Sequence, residues 1–203
     1  MELKQNQVLF APGSPIDEVY FLNSGIVSIV SDVKVGTIEA ALIGKEGIVG
    51  LPAVLHVRST PMRSIVQIPG EALRISARQI LALAKSEARF HTSLLQYSHA
   101  LMIQIAYTAA CNRLHRTHHR CARWLLSAMD RVGSETFPLT QDFMGQMLGI
   151  RRPQVSECMQ QLKRLKTVRY RHGKVTIEDR MALENIVCDC YHIIRAAYHE
   201  HTN

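Results

Sequence analysis

The chain has 203 residues, room for one large domain or two small ones, and at 47% hydrophobic residues it can bury a core, which excludes a disordered chain. Its five cysteines are an odd number with no CxxC pair, which argues against a disulfide framework and fits a reducing cytosol. No apolar run reaches the roughly 18 residues of a membrane helix, and the opening MELKQNQVLFAPGSP lacks a secretory h-region, so a soluble cytoplasmic protein without a membrane partner is expected.

Charge divides the chain. Residues 1–88 hold eight basic and eight acidic residues; residues 89–203 hold sixteen and nine and so carry the whole net charge of +7. Within 151–174, eight basic residues (Arg151, Arg152, Lys163, Arg164, Lys166, Arg169, Arg171, Lys174) stand against one acid, Glu157. A neutral half joined to a basic half implies two jobs, and the basic one fits a polyanion.

In chain order, residues 8–75 read as strands and turns. Val19–Leu22, Ile26–Val30, Ile38–Ile43 and Ile65–Ile68 are short, β-branched segments. Pro12-Gly13, Asn23-Ser24-Gly25, Gly36, Gly44, Gly47, Gly50-Leu51-Pro52 and Pro69-Gly70 punctuate them. This spacing fits a small antiparallel barrel or a sandwich and does not choose between them. From Ser76 the texture becomes helical. Ser76 is placed to cap a short helix from Arg78. Phe90–Leu114 then runs without Pro or Gly, its apolar residues Phe90, Leu94, Leu95, Leu101, Met102, Ile105, Ala109 and Leu114 falling mostly at steps of three, four or seven. A helix of that length between two domains is a natural dimer seam, with Leu94, Leu101, Met102, Ile105 and Ala109 as its contacts. Residues 117–131 form a further helix, with Trp124, Leu125, Leu126 and Met129 as apolar residues, ended by Gly133.

The strongest motif is Leu139–Leu165, LTQDFMGQMLGIRRPQVSECMQQLKRL. Thr140 is an N-cap, and Asp142 suits the first-turn dipole. Gly145 lets two helices cross closely, Gly149 permits a left-handed turn, and Val155 plugs the junction. Pro153 is tolerated because first-turn amides lack intrahelical partners. This is the helix-turn-helix pattern. The TVRYRHGKVTIED segment, Thr167–Asp179, reads as a hairpin turning at His172-Gly173, and so as a wing. Arg180–His199 completes the chain as helix.

Four stretches in order resemble the cyclic AMP receptor protein/FNR (Crp/Fnr) family of bacterial transcription regulators. They are Pro12–Val30 with EVYFLNSG, Ala41–Pro52 (ALIGKEGIVGLP), Cys111–Leu126 (CNRLHRTHHRCARWLL) and Leu139–Asp179. The resemblance implies an α+β fold. A cyclic-nucleotide-binding-like β-roll would span residues 1–88, a dimerisation helix and hinge 89–115, and a winged helix-turn-helix 116–203. It also implies a homodimer on a near-palindromic site in double-stranded DNA, with RNA polymerase as a further partner. Family members read bases from the first half of the second helix. The matching positions here are Arg152, Pro153, Ser156 and Glu157, with Gln154 beside them. Arg152 is suited to guanine O6/N7, Glu157 to cytosine N4 and Gln154 to adenine. Pro153 departs from the acidic residue common in the family, so a different half-site is expected. Thr140, Arg151, Lys163, Arg169, Arg171 and Lys174 are the expected backbone contacts.

On the effector side the resemblance implies a pocket at Gly50, Leu51, Arg63 and Ser64. Cyclic-nucleotide binders of the family hold ribose with a Gly-Glu pair, phosphate with Arg-Ser, and base with a Thr-Ser pair on the long helix. Here Leu51 follows Gly50, Arg63-Ser64 matches the phosphate pair, and Ile105-Ala106 fall at the base positions. Control by cyclic AMP is therefore not expected; another small-molecule effector, or none, stays open. The first cysteine is Cys111, which excludes an N-terminal iron–sulfur ligand set, and His56 alone is no case for haem.

Cys111, His115 and His119 share one helix face at steps of four, which is a spacing for a soft metal. Polar residues are also ordinary at a helix end near a hinge, and no metal is assigned. Cys188 and Cys190, two apart on a helix, would face different directions; Cys188 is expected in the core, and so is Cys158. No HExxH, GxSxG, P-loop or Rossmann fingerprint is present, so an enzyme is not expected. The alternative to a specific regulator is a β-roll adaptor whose basic domain binds nucleic acid non-specifically.

Overall fold

The computed structural model describes residues 1–199. The first half holds β1 (Glu2–Leu3), β2 (Val8–Phe10), β3 (Glu18–Leu22), β4 (Ile26–Val33), β5 (Gly36–Ile43), β6 (Ile48–Val49), the one-turn helix α1 (Leu51–Val54), β7 (Arg63–Ile68) and β8 (Gly70–Ser76). The helical part holds α2 (Ala77–Ser86), α3 (Ala88–Leu114) and α4 (Thr117–Val132). After them come β9 (Thr136–Pro138), α5 (Gln141–Leu148), α6 (Arg152–Arg164), β10 (Val168–Arg171), β11 (Lys174–Ile177), α7 (Arg180–Ile186) and α8 (Asp189–His199).

The strands up to β8 form two four-stranded antiparallel sheets, ordered β1-β8-β3-β6 and β2-β7-β4-β5. Their inner faces meet in a core that includes Leu3, Val19, Val27, Ile43 and Val66, closed by Ile80 of α2 and by Leu94 and Tyr97 of α3. The expected β-roll is thus present. β3, β4, β5 and β7 sit where the β-branched segments lie; β1, β2 and β6 are short and β8 is broken by polar residues, so these carry little periodic signal.

The second sheet is covered on both faces. Ile26, Val30, Leu42 and Ile68 point away from the roll interior into a second core with Trp124, Leu125, Met144 and Leu148. This explains why β4 reads as a near-continuous apolar run rather than an alternation. Its one polar break inside the core, Ser28, donates to Gln67 Oε1 at 2.9 Å. Roll and helical domain therefore share a core rather than being strung on a linker.

Ser76 caps α2 as expected: its Oγ accepts from the Gln79 backbone amide, and the Gln79 side-chain Oε1 accepts from the Ser76 backbone amide. Gly133 ends α4 in the left-handed region. The segment expected as one helix over 180–199 is two. α7 ends at Ile186, Val187 is extended, and α8 starts at Asp189. Among the described residues, no helix is long and apolar enough to cross a membrane.

Candidate nucleic-acid interface, effector pocket and hinge

The helix-turn-helix is built as its residues dictate. Thr140 Oγ1 accepts from the Phe143 amide at 3.1 Å and starts α5. Gly149 ends it with φ of 60°, conformational territory that favours glycine. A Cβ on Gly145 would stand 2.9 Å from the Ile150 carbonyl oxygen, so the helices cross where only glycine fits. Val155, Cys158, Met159 and Leu162 are the buried stripe of α6. The opposite face is open. Arg151, Arg152, Pro153, Gln154, Glu157, Gln160, Lys163 and Arg164 are exposed, and Ser156 is half-buried. Arg152 meets Asp142 only in a loose, exposed pair at 3.5 Å. Gln154 has a local task, its Oε1 accepting from the Arg151 amide at 3.0 Å. Arg151 is the N-cap of α6.

β10 and β11 pair directly across His172-Gly173, with Arg171 opposite Lys174. Both turn residues have positive φ, 49° and 70°, as a two-residue hairpin turn of the primed type requires. β9 adds a third strand to this wing, one the sequence pattern did not show. Arg169 pairs with Glu178 at 2.9 Å. Among the described residues neither Arg171 nor Lys174 is in an ion pair, and both are exposed.

On α3, Leu95, Met102 and Ala109 are exposed at seven-residue steps, and Leu101 and Ile105 are half-buried beside them. Leu94 corrects the expected seam: it is 4% exposed and packs into its own roll, one helical position away from the open stripe.

Between the roll and α3 lies a cavity of about 440 Å³. Gly50, Leu51 and Ser64 line it as expected, with Ile29, Ile43, Met62, Leu95, Leu101 and Ile105 among its apolar walls. Among the described residues, Thr60, Ser64 and Ser98 are the polar side chains in its lining, and no charged residue is among them. Arg63, expected to face a phosphate, is turned elsewhere. Its Nε and Nη2 each donate to the Asp32 carboxylate at 2.8 Å. These bonds, with one from Thr37, hold the Asp32 carboxyl down at about 2.

The helical domain is fastened to the roll by polar contacts that the sequence reading did not find. Trp124 Nε1 donates to Glu39 Oε1 at 2.9 Å, wholly inside the shared core. Burial pushes the Glu39 carboxyl up to about 7, against the opposing pull of its hydrogen bonds and of Arg123 and Arg131. Arg131 is buried and ion-paired to Glu46 at 2.7 Å. It donates to Gln104 Oε1 at 2.9 Å and lies 5.3 Å from the centre of the Tyr198 ring. Tyr198 also donates to Gln104 Oε1, at 2.6 Å. One guanidinium thus joins α4 to α3, α8 and the β5–β6 turn. These partners are far apart in the chain, and no local motif announces them.

At the hinge, Arg120 donates to Asn112 Oδ1 and to the Leu148 carbonyl. The expected Cys111/His115/His119 face is only partly realised. His119 Nδ1 lies 2.5 Å from the Ile186 carbonyl oxygen. In its place come Cys188 and Cys190, so that the donor atoms of Cys111, His115, Cys188 and Cys190 all lie within 4.8 Å of one another. The break between α7 and α8 makes this possible: Cys188 precedes the helix, so the rule separating residues two apart does not hold for it.

Residues 1–87 match the cyclic nucleotide-binding domain family, and residues 119–186 match the Crp-like helix-turn-helix domain. No curated protein matches the chain significantly. Among solved structures, FixK2 from Bradyrhizobium japonicum superposes with a TM-score of 0.79 at 15% identity, over 93% of this chain and 96% of that one. TTHB099, a CRP-family transcriptional regulator from Thermus thermophilus, gives 0.77 at 15% identity, over 92% and 95%. The c-di-GMP-responsive global regulator CLP of Xanthomonas campestris gives 0.71 at 14% identity, over 88% and 93%. With its roll, its long helix and its winged helix-turn-helix in that order, this chain belongs to the Crp/Fnr family of DNA-binding transcription regulators.

Proposed function

We propose that two copies of this chain pair along α3 and read a near-palindromic DNA site in the cytoplasm, one α6 in each of two successive major grooves. The observation that carries this is the outward face of α6. Arg152, Gln154 and Glu157 are open to solvent, with Ser156 half-open beside them. Arg171 and Lys174 of the wing, in no ion pair among the described residues, are exposed as well. Bases are read by Arg152, Gln154, Ser156 and Glu157. Phosphates are held by Thr140, Arg151, Lys163, Arg169, Arg171 and Lys174. The exposed Leu95, Met102 and Ala109 form the dimer seam, and two-fold pairing sets half-sites roughly 34 Å apart.

Cyclic AMP is not the signal. A phosphate in the roll cavity would lose its water and meet no cation, a cost that three hydroxyls do not offset. An effector of this cavity would be apolar. The roll touches RNA polymerase, or biases the hinge at Asn112–Arg116 when a signal binds; the chain is not an enzyme.

The test is a random-oligonucleotide selection with purified protein, no ligand added, at two salt concentrations. A two-fold symmetric site with steep salt dependence is the expected result. Recovery of asymmetric or unrelated sequences at equal affinity would favour the non-specific adaptor instead.

A further inference from the structure

Beyond the roll and the DNA face, one cluster has the composition of a built metal site. Cys111 is in the last turn of α3, His115 caps that helix, and Cys188 and Cys190 flank Asp189 at the start of α8. The three thiols are buried and the imidazole is half-buried. Cys111 Sγ and Cys188 Sγ are 3.5 Å apart, and Cys190 Sγ is 3.7 Å from His115 Nδ1. With Zn–S at about 2.3 Å, the edges of a tetrahedral site are about 3.8 Å. Two of the donor–donor distances thus already match that edge, and all four donors lie within 4.8 Å of one another.

Two neighbours fit the same reading independently. His115 Nε2, the nitrogen turned away from the thiols, lies 3.8 Å from Asp189 Oδ1. A carboxylate behind the distal imidazole nitrogen is the usual support of a metal-bound histidine. Arg123, buried at 4% exposure, donates from Nε to Cys111 Sγ at 3.3 Å. A buried guanidinium needs a negative partner, and a divalent ion held by three thiolates and one neutral imidazole leaves a net charge of −1.

We propose that Cys111, His115, Cys188 and Cys190 bind one Zn2+ per chain, clamping the start of α8 to the end of α3 across the hinge. Binding releases the protons of those thiols still protonated and forms three Zn–S bonds and one Zn–N bond; no oxidant or reductant takes part. The clamp joins the helix proposed to pair two chains to the last helix of the DNA-binding domain, so it sets the angle at which α6 is presented. A metal-free chain would hold α8 to α3 through packing and the Tyr198–Gln104 hydrogen bond.

The experiment uses the full chain, reduced, stripped with a chelator, then loaded with Zn2+ and desalted. One Zn2+ per chain should remain, with a rise in Tm; Co2+ in its place should give thiolate charge-transfer absorption and the visible bands of a tetrahedral site. C190S should abolish retention, and D189N, which alters an exposed support and leaves the core intact, should weaken Zn2+ binding about 10–100-fold. C158A, on the buried face of α6 and outside the cluster, should retain a full equivalent. Absence of retained Zn2+ in the wild-type chain overturns the proposal. So does retention that C190S and D189N leave unchanged, or closure of Cys111 onto Cys188 as a disulfide in place of metal binding.

Discussion

Arg131 and Arg152 bring the same guanidinium into opposite surroundings. Arg131 is buried between α4, α3, α8 and the β5–β6 turn, with Glu46, Gln104 and the Tyr198 ring around it. Arg152 stands at the start of α6 with its side chain 68% exposed and one loose partner. The same contrast separates Arg120, Arg123 and Arg180, bonded across elements, from Arg171 and Lys174 on the wing. Net charge of the second half counts all of them alike. Only those open to solvent can serve a phosphate or a base edge, so the available basic surface is smaller than the composition implies.

Breaking the buried side of this contrast should give the largest effect. R131A leaves Glu46 and Gln104 facing an empty cationic position, and unfolding in denaturant should show a loss of about 3–5 kcal/mol. Next is the seam at Glu39. Its carboxyl titrates near 7 in the folded chain and near 4.5 when unfolded. Between those values the folded state holds a proton that the unfolded chain has released, so stability falls as pH rises from about 4.5 to about 7 and levels off above. E39Q, whose amide oxygen still accepts from Trp124, should flatten that profile and raise stability at pH 8 by no more than about 3 kcal/mol. A profile unchanged by E39Q would place the pH dependence elsewhere.

On the exposed side, R152A should leave stability within about 0.5 kcal/mol and cost about 1–3 kcal/mol of binding at one base pair of the site. M102D, which sets a charge in the middle of the proposed seam, should shift sedimentation from dimer to monomer. The smallest effect belongs to the wing: K174A should weaken all sequences alike and reduce the salt slope by about one.

Much of this was legible from residues alone. The capped helices, the Gly145–Gly149–Val155 constellation and the His172-Gly173 turn each depend on contacts within a few positions, and each stands where the pattern placed it. What the pattern missed lies between elements distant in the chain. Glu39 and Trp124 belong to different domains, and neither residue type hints at the other. Arg63 matched a phosphate-binding pair by order, yet Asp32 on the neighbouring strand claims it. The cysteine cluster was half-visible: the steps of four from Cys111 found His115 but chose His119 as the third member. The break at Val187 that delivers Cys188 and Cys190 carries no glycine or proline to mark it in the sequence.

Base reading by α6 is tested by comparing R152A and K174A in salt titrations on the selected site and on a scrambled duplex. The structure predicts that R152A loses affinity about 5- to 150-fold on the selected site and little on the scrambled one. K174A should lose equally on both, with a shallower salt slope. Equal losses by R152A on the two duplexes would make Arg152 a phosphate contact and would contradict base reading by α6.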